Sequence, residues 1–129
     1  MFLKKMWPAL LWALLILALC GLPGSAIPEL TFLEWLKPDK IVHLVLFGVL
    51  CFLLIKGMSA IEFNSYWTSY PKPVAIILSS VYGVIIELLQ EYIFIGRHGD
   101  VYDALADSLG AFIGLWFYIY WIKRARKTA

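Results

Sequence analysis

What this chain has least of is charge. Only 16% of its 129 residues are Asp, Glu, Lys or Arg, whereas 62% are hydrophobic and the mean hydropathy is +0.81. Soluble proteins are roughly 45–50% apolar, and a chain this short exposes much of its surface, so its polar residues are too few to cover a globule in water. A soluble domain is thereby excluded, and a single integral membrane domain over residues 1–129 is expected. The net charge of +2 is too small to imply a nucleic-acid partner. Cysteine is scarce as well: Cys20 and Cys51 lie in apolar runs without the spacing of a zinc site, where a thiol acts as a small hydrophobe. The sequence contains no H-E-x-x-H motif, no phosphate loop, no Ser/His/Asp triad spacing and no internal repeat, so the common signatures of hydrolases and nucleotide enzymes are missing.

What is present is a set of long apolar runs. About 20 mostly apolar residues are needed to cross ~30 Å of hydrocarbon as a helix, and four segments qualify: about 6–22, 41–55, 74–95 and 101–122. The predicted fold is all-α, a polytopic four-helix transmembrane bundle. LPGSAIP, KPDK and YPKP punctuate the runs with Pro and Gly, and the short IGRHGD joins the last two into a helical hairpin. The first run has features of a signal peptide, with Lys4 and Lys5 ahead of it and Gly24-Ser25-Ala26 behind, but Trp7-Pro8 and its length favour retention. Leu19 before Cys20 argues against a lipoprotein site.

Charge distribution sets the expected orientation. With both termini cytoplasmic, the inner side holds Lys4, Lys5, Lys56, Lys72, Lys123, Arg124, Arg126 and Lys127, against Lys37, Lys40 and Arg97 outside. Eight basic residues against three predicts a multi-pass protein of the bacterial cytoplasmic membrane with its N- and C-termini inside. The acids fall the other way: only Glu62 is in the inner loop, while Glu29, Glu34, Asp39, Glu87, Glu91, Asp100, Asp103 and Asp107 belong to the outer half, with His43 and His98.

Helical spacing gathers these groups into stripes. Asp39, Lys40, His43 and Phe47 share a face of the second span; Gly83, Glu87, Gln90 and Glu91 share one in the third; Asp100, Asp103, Asp107, Gly110 and Gly114 share one in the fourth. Glu87 should lie ~12 Å below the outer end of its span and Asp107 ~9 Å below the start of the next, so the two are at similar depth. An ionised carboxylate within the membrane costs at least ~2.5–3.5 kcal/mol and therefore normally faces a bundle interior and a partner. The candidate polar site is Asp39, Lys40, His43, Glu87, Gln90, Arg97, Asp103 and Asp107, with an excess of carboxylates over cations.

Structural roles compete for several of these residues. Asp100 reads equally as the N-cap of the fourth helix, Glu91 as a side chain snorkelling outward, Gln90 as interhelical glue and Gly110-x-x-x-Gly114, with Gly83, as close-packing positions. His98 reads as a loop residue, and His43 is open between function and structural hydrogen bonding.

DKIVHLVLFGVL (39–50), GVIIELLQ (83–90) and RHGDVYDALADSLGAFIG (97–114), in this order, resemble the VanZ-like family of small bacterial membrane proteins. LPGS after the first span also fits. The family's last motif reads R-x-x-D-x-x-D-x-x-x-N-x-x-G, and here Asp107 stands where the pattern has Asn, placing a carboxyl where an amide would donate. The resemblance implies a four-span bundle and, through the family's founding member, a link to resistance against teicoplanin.

The leading expectation is a non-catalytic envelope protein whose outward-facing polar cavity binds an envelope component, an amphiphile or a glycopeptide. The lipid bilayer is its expected surrounding, no cofactor is expected, and the sequence sets no oligomeric state. The alternative is an enzyme acting on a lipid-linked substrate at the outer leaflet, with His43, Glu87, Asp103 and Asp107 as acid/base groups or as ligands of a divalent metal. Transport is disfavoured because the inner halves of the spans offer no polar path.

Overall fold

A computed structural model describes residues 2–23, 38–62 and 65–128. Among these residues are five helices and no strand: α1 Phe2–Cys20, α2 Pro38–Ser59, α3 Tyr66–Ser69, α4 Pro71–Tyr92 and α5 Val101–Thr128. All except α3 are long and apolar enough to cross a bilayer. The loop containing Glu29, Glu34 and Lys37, and the Gly24-Ser25-Ala26 stretch, lie outside the described residues.

The helix bounds differ from those read from hydropathy, each for a local reason. α1 starts at Phe2, so Lys4 and Lys5 are helical. α2 is a full 22 residues rather than the shortest span. It opens on Pro38, whose missing N–H would have had no partner in a first turn, and closes with Lys56 at the negative end of the helix dipole. α4 opens on Pro71 for the same reason and stops at Tyr92, short of Ile95. There the N–H groups of Ile93 and Phe94 both turn back to the Leu89 carbonyl, and Gly96 takes a positive φ of 70°. α5 continues past Ile122 through the basic cluster to Thr128, because Lys and Arg are good helix formers that favour a C-terminal turn. The short α3 was not anticipated; its N-cap, Ser65, donates its backbone N–H to Thr68 Oγ1 at 2.9 Å.

The chain direction alternates, so the starts of α2 and α5 and the ends of α1 and α4 share one end of the bundle. α2 is central, touching α1, α4 and α5. α4 and α5 pack as the hairpin expected from their short link, but the most extensive interface is α2 with α5. Small residues cause this: a Cβ on Gly110 would collide with the Leu44 carbonyl, and one on Gly114 with the Gly48 carbonyl. The backbones therefore approach at a distance that only Gly permits.

Two apolar layers fill the interior. Met6, Ala9, Cys51, Ile55, Val74, Ala75 and Tyr118 form the layer nearer the termini, and Ile16, Cys20, Phe47, Leu50 and Ile86 the layer nearer the other end. Both cysteines are buried as small hydrophobes. Side-chain donors pin α1 to the bundle: Trp12 Nε1 donates to the Leu46 carbonyl at 2.9 Å, Tyr82 Oη to the Ala13 carbonyl at 2.7 Å, and Gln90 Nε2 to the Cys20 carbonyl at 3.2 Å. The outer surface is a girdle of exposed apolar side chains, among them Leu11, Leu14, Val45, Ile77, Val84, Leu109 and Phe112, which suits lipid.

Replacing Gly114 by Val should push α2 and α5 apart and lower stability by about 1–3 kcal/mol, the cost of overpacking. Leu109→Ala, on the lipid face, should change little. Unfolding in bicelles distinguishes the two, and equal effects would mean that α2 and α5 do not meet at these glycines.

Candidate functional site

The polar site is assembled at the end shared by the starts of α2 and α5. In α2, the helical repeat aligns Asp39, Lys40 and His43 on the face turned toward α4 and α5. His43 is 2% exposed, and its ring lies nearly parallel to that of Phe47, centroids 6.3 Å apart at an interplanar angle of 7°. Its Nδ1 is 2.9 Å from Asp107 Oδ1 and 3.7 Å from Glu87 Oε1. Its Nε2 faces Asp39 Oδ1 at 4.0 Å. One imidazole thus has carboxylates on both sides, contributed by α2, α4 and α5.

Lys40 is the second hub. Its ammonium donates to Asp100 Oδ2 at 2.7 Å and Asp103 Oδ1 at 2.6 Å, and lies 5.7 Å from the centroid of Tyr102. Asp100 also caps α5, accepting the Tyr102 N–H on Oδ1 at 2.8 Å. The cap and the place in the polar site, read from the sequence as alternatives, are both present on one side chain. Charge-assisted bonds of this kind are roughly twice as strong as neutral ones.

α4 fixes the start of α5. Glu87 Oε2 accepts the Asp100 N–H at 2.8 Å, and Glu91 Oε2 accepts the Gly99 N–H at 2.9 Å. Gly99 is required where it stands, because a Cβ there would be 2.7 Å from the Glu87 carbonyl. Gly83 serves differently from Gly110 and Gly114: it makes room for a side chain, since a Cβ would be 2.6 Å from Asp107 Oδ2.

Two acceptors within the cluster receive no donor from the described residues. Glu87 Oε1 and Asp107 Oδ2 are buried and accept no hydrogen bond. Among the described residues, one donor atom from each of His43, Glu87 and Asp107 lies within 4.8 Å of the others, and a second such group is Asp39, His43 and Asp103. The arrangement can accept hydrogen bonds, hold a cation or pass a proton across the imidazole.

Asp39, Lys40, His43, Glu87, Asp103 and Asp107 are therefore brought together, with Asp100 added. Gln90 is not: it is buried but bonded to α1. Arg97 lies in the α4–α5 link, half-buried, and forms no hydrogen bond or ion pair with a described residue. His98 is an exposed loop residue. The donors Trp12 and Tyr82, which tie α1 in place, were missed; an indole or phenol in an apolar run is itself the signal, since each needs a partner once buried. None of the cluster's side chains lines the three described cavities. One of about 480 Å³ sits at the termini end beside Lys5, Met6 and Met58, and two are apolar grooves facing lipid.

Four membrane-crossing helices around a buried His–carboxylate cluster define a small multi-pass membrane protein. Residues 9–123 match the profile of the VanZ/LLP1 family, and the chain belongs to that family. No curated protein and no solved structure matches it.

Lys40→Met should leave Asp100 and Asp103 without their cation and destabilise the protein by about 1.5–3 kcal/mol, the size of a hydrogen bond to a charged group. Asp103→Asn should recover part of the loss in the double variant, because it removes the charge left uncompensated. Melting of the single and double variants in bicelles checks this; additive losses would mean that Lys40 and Asp103 do not interact.

Proposed function

We propose that this VanZ/LLP1-family protein resides in the bacterial cytoplasmic membrane with both termini inside. The carboxylate-rich end of its bundle binds the cationic part of an envelope component or amphiphile at the outer face, contributing to glycopeptide resistance of the teicoplanin type. The observation that carries this reading is the excess of acceptors at one end, where Asp39, Glu87, Asp100, Asp103 and Asp107 surround Lys40 and His43. The opposite end carries most of the Lys and Arg, which supports the orientation.

The rim of the cluster is reachable. The side chains of Asp39 and Asp100 are 60% and 42% exposed, whereas His43 and Asp107 lie beneath. An ammonium arriving at the rim gains charge-assisted hydrogen bonds. Beside it runs an apolar groove of about 410 Å³ between α2 and α5, starting at Leu44 and lined by Val45, Phe52 and Phe117. Head at the rim and chain in the groove is the binding mode of an amphiphile. A second reading, an enzyme acting on outer-leaflet head groups, is favoured by carboxylates at both ring nitrogens of His43, an arrangement suited to proton transfer. Conversion of such a lipid by reconstituted protein, abolished by His43→Ala, would support it.

The test of the binding reading is complementation of a deletion strain. Deletion should raise teicoplanin susceptibility and envelope permeability. Wild type and Glu62→Gln, at the opposite end, should restore both, whereas Glu87→Gln and Asp103→Asn should not. Unchanged susceptibility and permeability on deletion would remove the reading.

A further inference from the structure

The deeper half of the cluster contains acceptors that no described residue satisfies. Glu87 is 7% exposed and Asp107 0%, yet Glu87 Oε1 and Asp107 Oδ2 accept no hydrogen bond. Both carboxylates converge on one nitrogen, His43 Nδ1, at 3.7 and 2.9 Å. Two ligand atoms each ~2.1 Å from one ion, at angles between octahedral and trigonal, lie about 3.0–3.6 Å apart. The observed spacings therefore resemble those of ligands around a common ion. Lys40 cannot provide the missing positive charge, because its ammonium is engaged with Asp100 and Asp103.

We propose that His43 Nδ1, Glu87 Oε1 and the Asp107 carboxylate bind a divalent metal ion of the zinc or manganese type. One imidazole and two carboxylates, without thiolate, form a donor set for ions that take nitrogen and oxygen together. Neutral imidazole, two carboxylates and a divalent ion sum to zero charge, which is what an apolar surrounding favours. The supporting groups are in place. His43 Nε2 faces the Asp39 carboxylate, the arrangement that orients metal-bound imidazoles, and the Phe47 ring packs parallel to the imidazole. The Asp100 N–H holds Glu87 Oε2 and leaves Oε1 for the ion, while the missing Cβ of Gly83 leaves room for Asp107 Oδ2. The neighbouring group of Asp39, His43 and Asp103 is the weaker candidate, since Lys40 already neutralises Asp103 and Asp39 is mostly exposed.

The test uses the full chain purified in mild detergent without chelator. Elemental analysis should find close to one zinc or manganese per chain in wild type and Glu62→Gln, and little in Glu87→Gln, Asp107→Asn or His43→Ala. Chelator-stripped wild type should take up Mn²⁺ with a changed electron paramagnetic resonance signal and a higher Tm. Glu87→Gln and Asp107→Asn should be monodisperse and melt no lower than the stripped wild type, because each removes a buried charge; this separates loss of the ion from loss of the fold. Substoichiometric metal in wild type, with no Mn²⁺-dependent signal or Tm change after stripping, would overturn the proposal. So would metal lost in Asp103→Asn but kept in Glu87→Gln. These readouts do not depend on glycopeptide susceptibility, so the metal site and the envelope function can fail separately.

Discussion

The constraint on which the rest of this structure depends is the cost of a carboxylate in hydrocarbon. Each one placed within a span costs at least ~2.5–3.5 kcal/mol unless it finds a partner, and this chain carries Glu87, Asp103 and Asp107 at or below the start of its apolar layer. They are not distributed over the bundle. They meet at one end, around the Lys40 ammonium and the His43 imidazole, both presented by α2. α2 can supply both because it is the central helix, and it is central because Gly48, Gly110 and Gly114 let α5 approach its backbone.

Close approach and polar convergence are therefore one arrangement. With larger residues at the glycine positions, α5 would stand further from α2, and Asp107 could not reach the imidazole at 2.9 Å. Glu87 joins the third helix to this pair with its two oxygens in separate roles: one anchors the first turn of α5 through the Asp100 N–H, and the other faces His43. On the less exposed side of the cluster the Phe47 ring packs against His43, so electrostatic interactions there are weakly screened. Its rim, at Asp39 and Asp100, opens to water. Exposed and buried acids within a few ångströms of each other give the site a charge gradient along the bundle axis.

Much of this architecture was legible in the sequence. Apolar length identified four spans, and helical periodicity placed Asp39, Lys40 and His43 on one face and Asp103 and Asp107 on another. Periodicity gives the face of a helix but not its neighbour, so it could not tell that Gln90 turns to α1 while Glu87, three residues earlier, turns to His43. Arg97 was grouped with the site as a cation set against the carboxylates, but a residue in a link follows the turn rather than a helical stripe, and Arg97 forms no hydrogen bond or ion pair with a described residue of the cluster. Helix ends were misread where the signals were not hydropathic: Pro71 extends α4 at its start, and the basic tail of α5 stays helical. Asp100 shows the limit of weighing cap against site, since its two oxygens serve both.

The imidazole of His43 and the carboxylate of Asp107 join α2 to α5 at this end of the bundle. The most direct measurement is a dipolar-recoupling distance between ¹⁵N-labelled His43 and ¹³C-labelled Asp107 in protein reconstituted into lipid. A hydrogen-bonded or ion-sharing pair predicts a nitrogen-to-carboxyl-carbon distance of about 3–4 Å. A separation beyond about 6 Å, twice hydrogen-bonding reach, would contradict the arrangement of α2 against α5 and the site built on it.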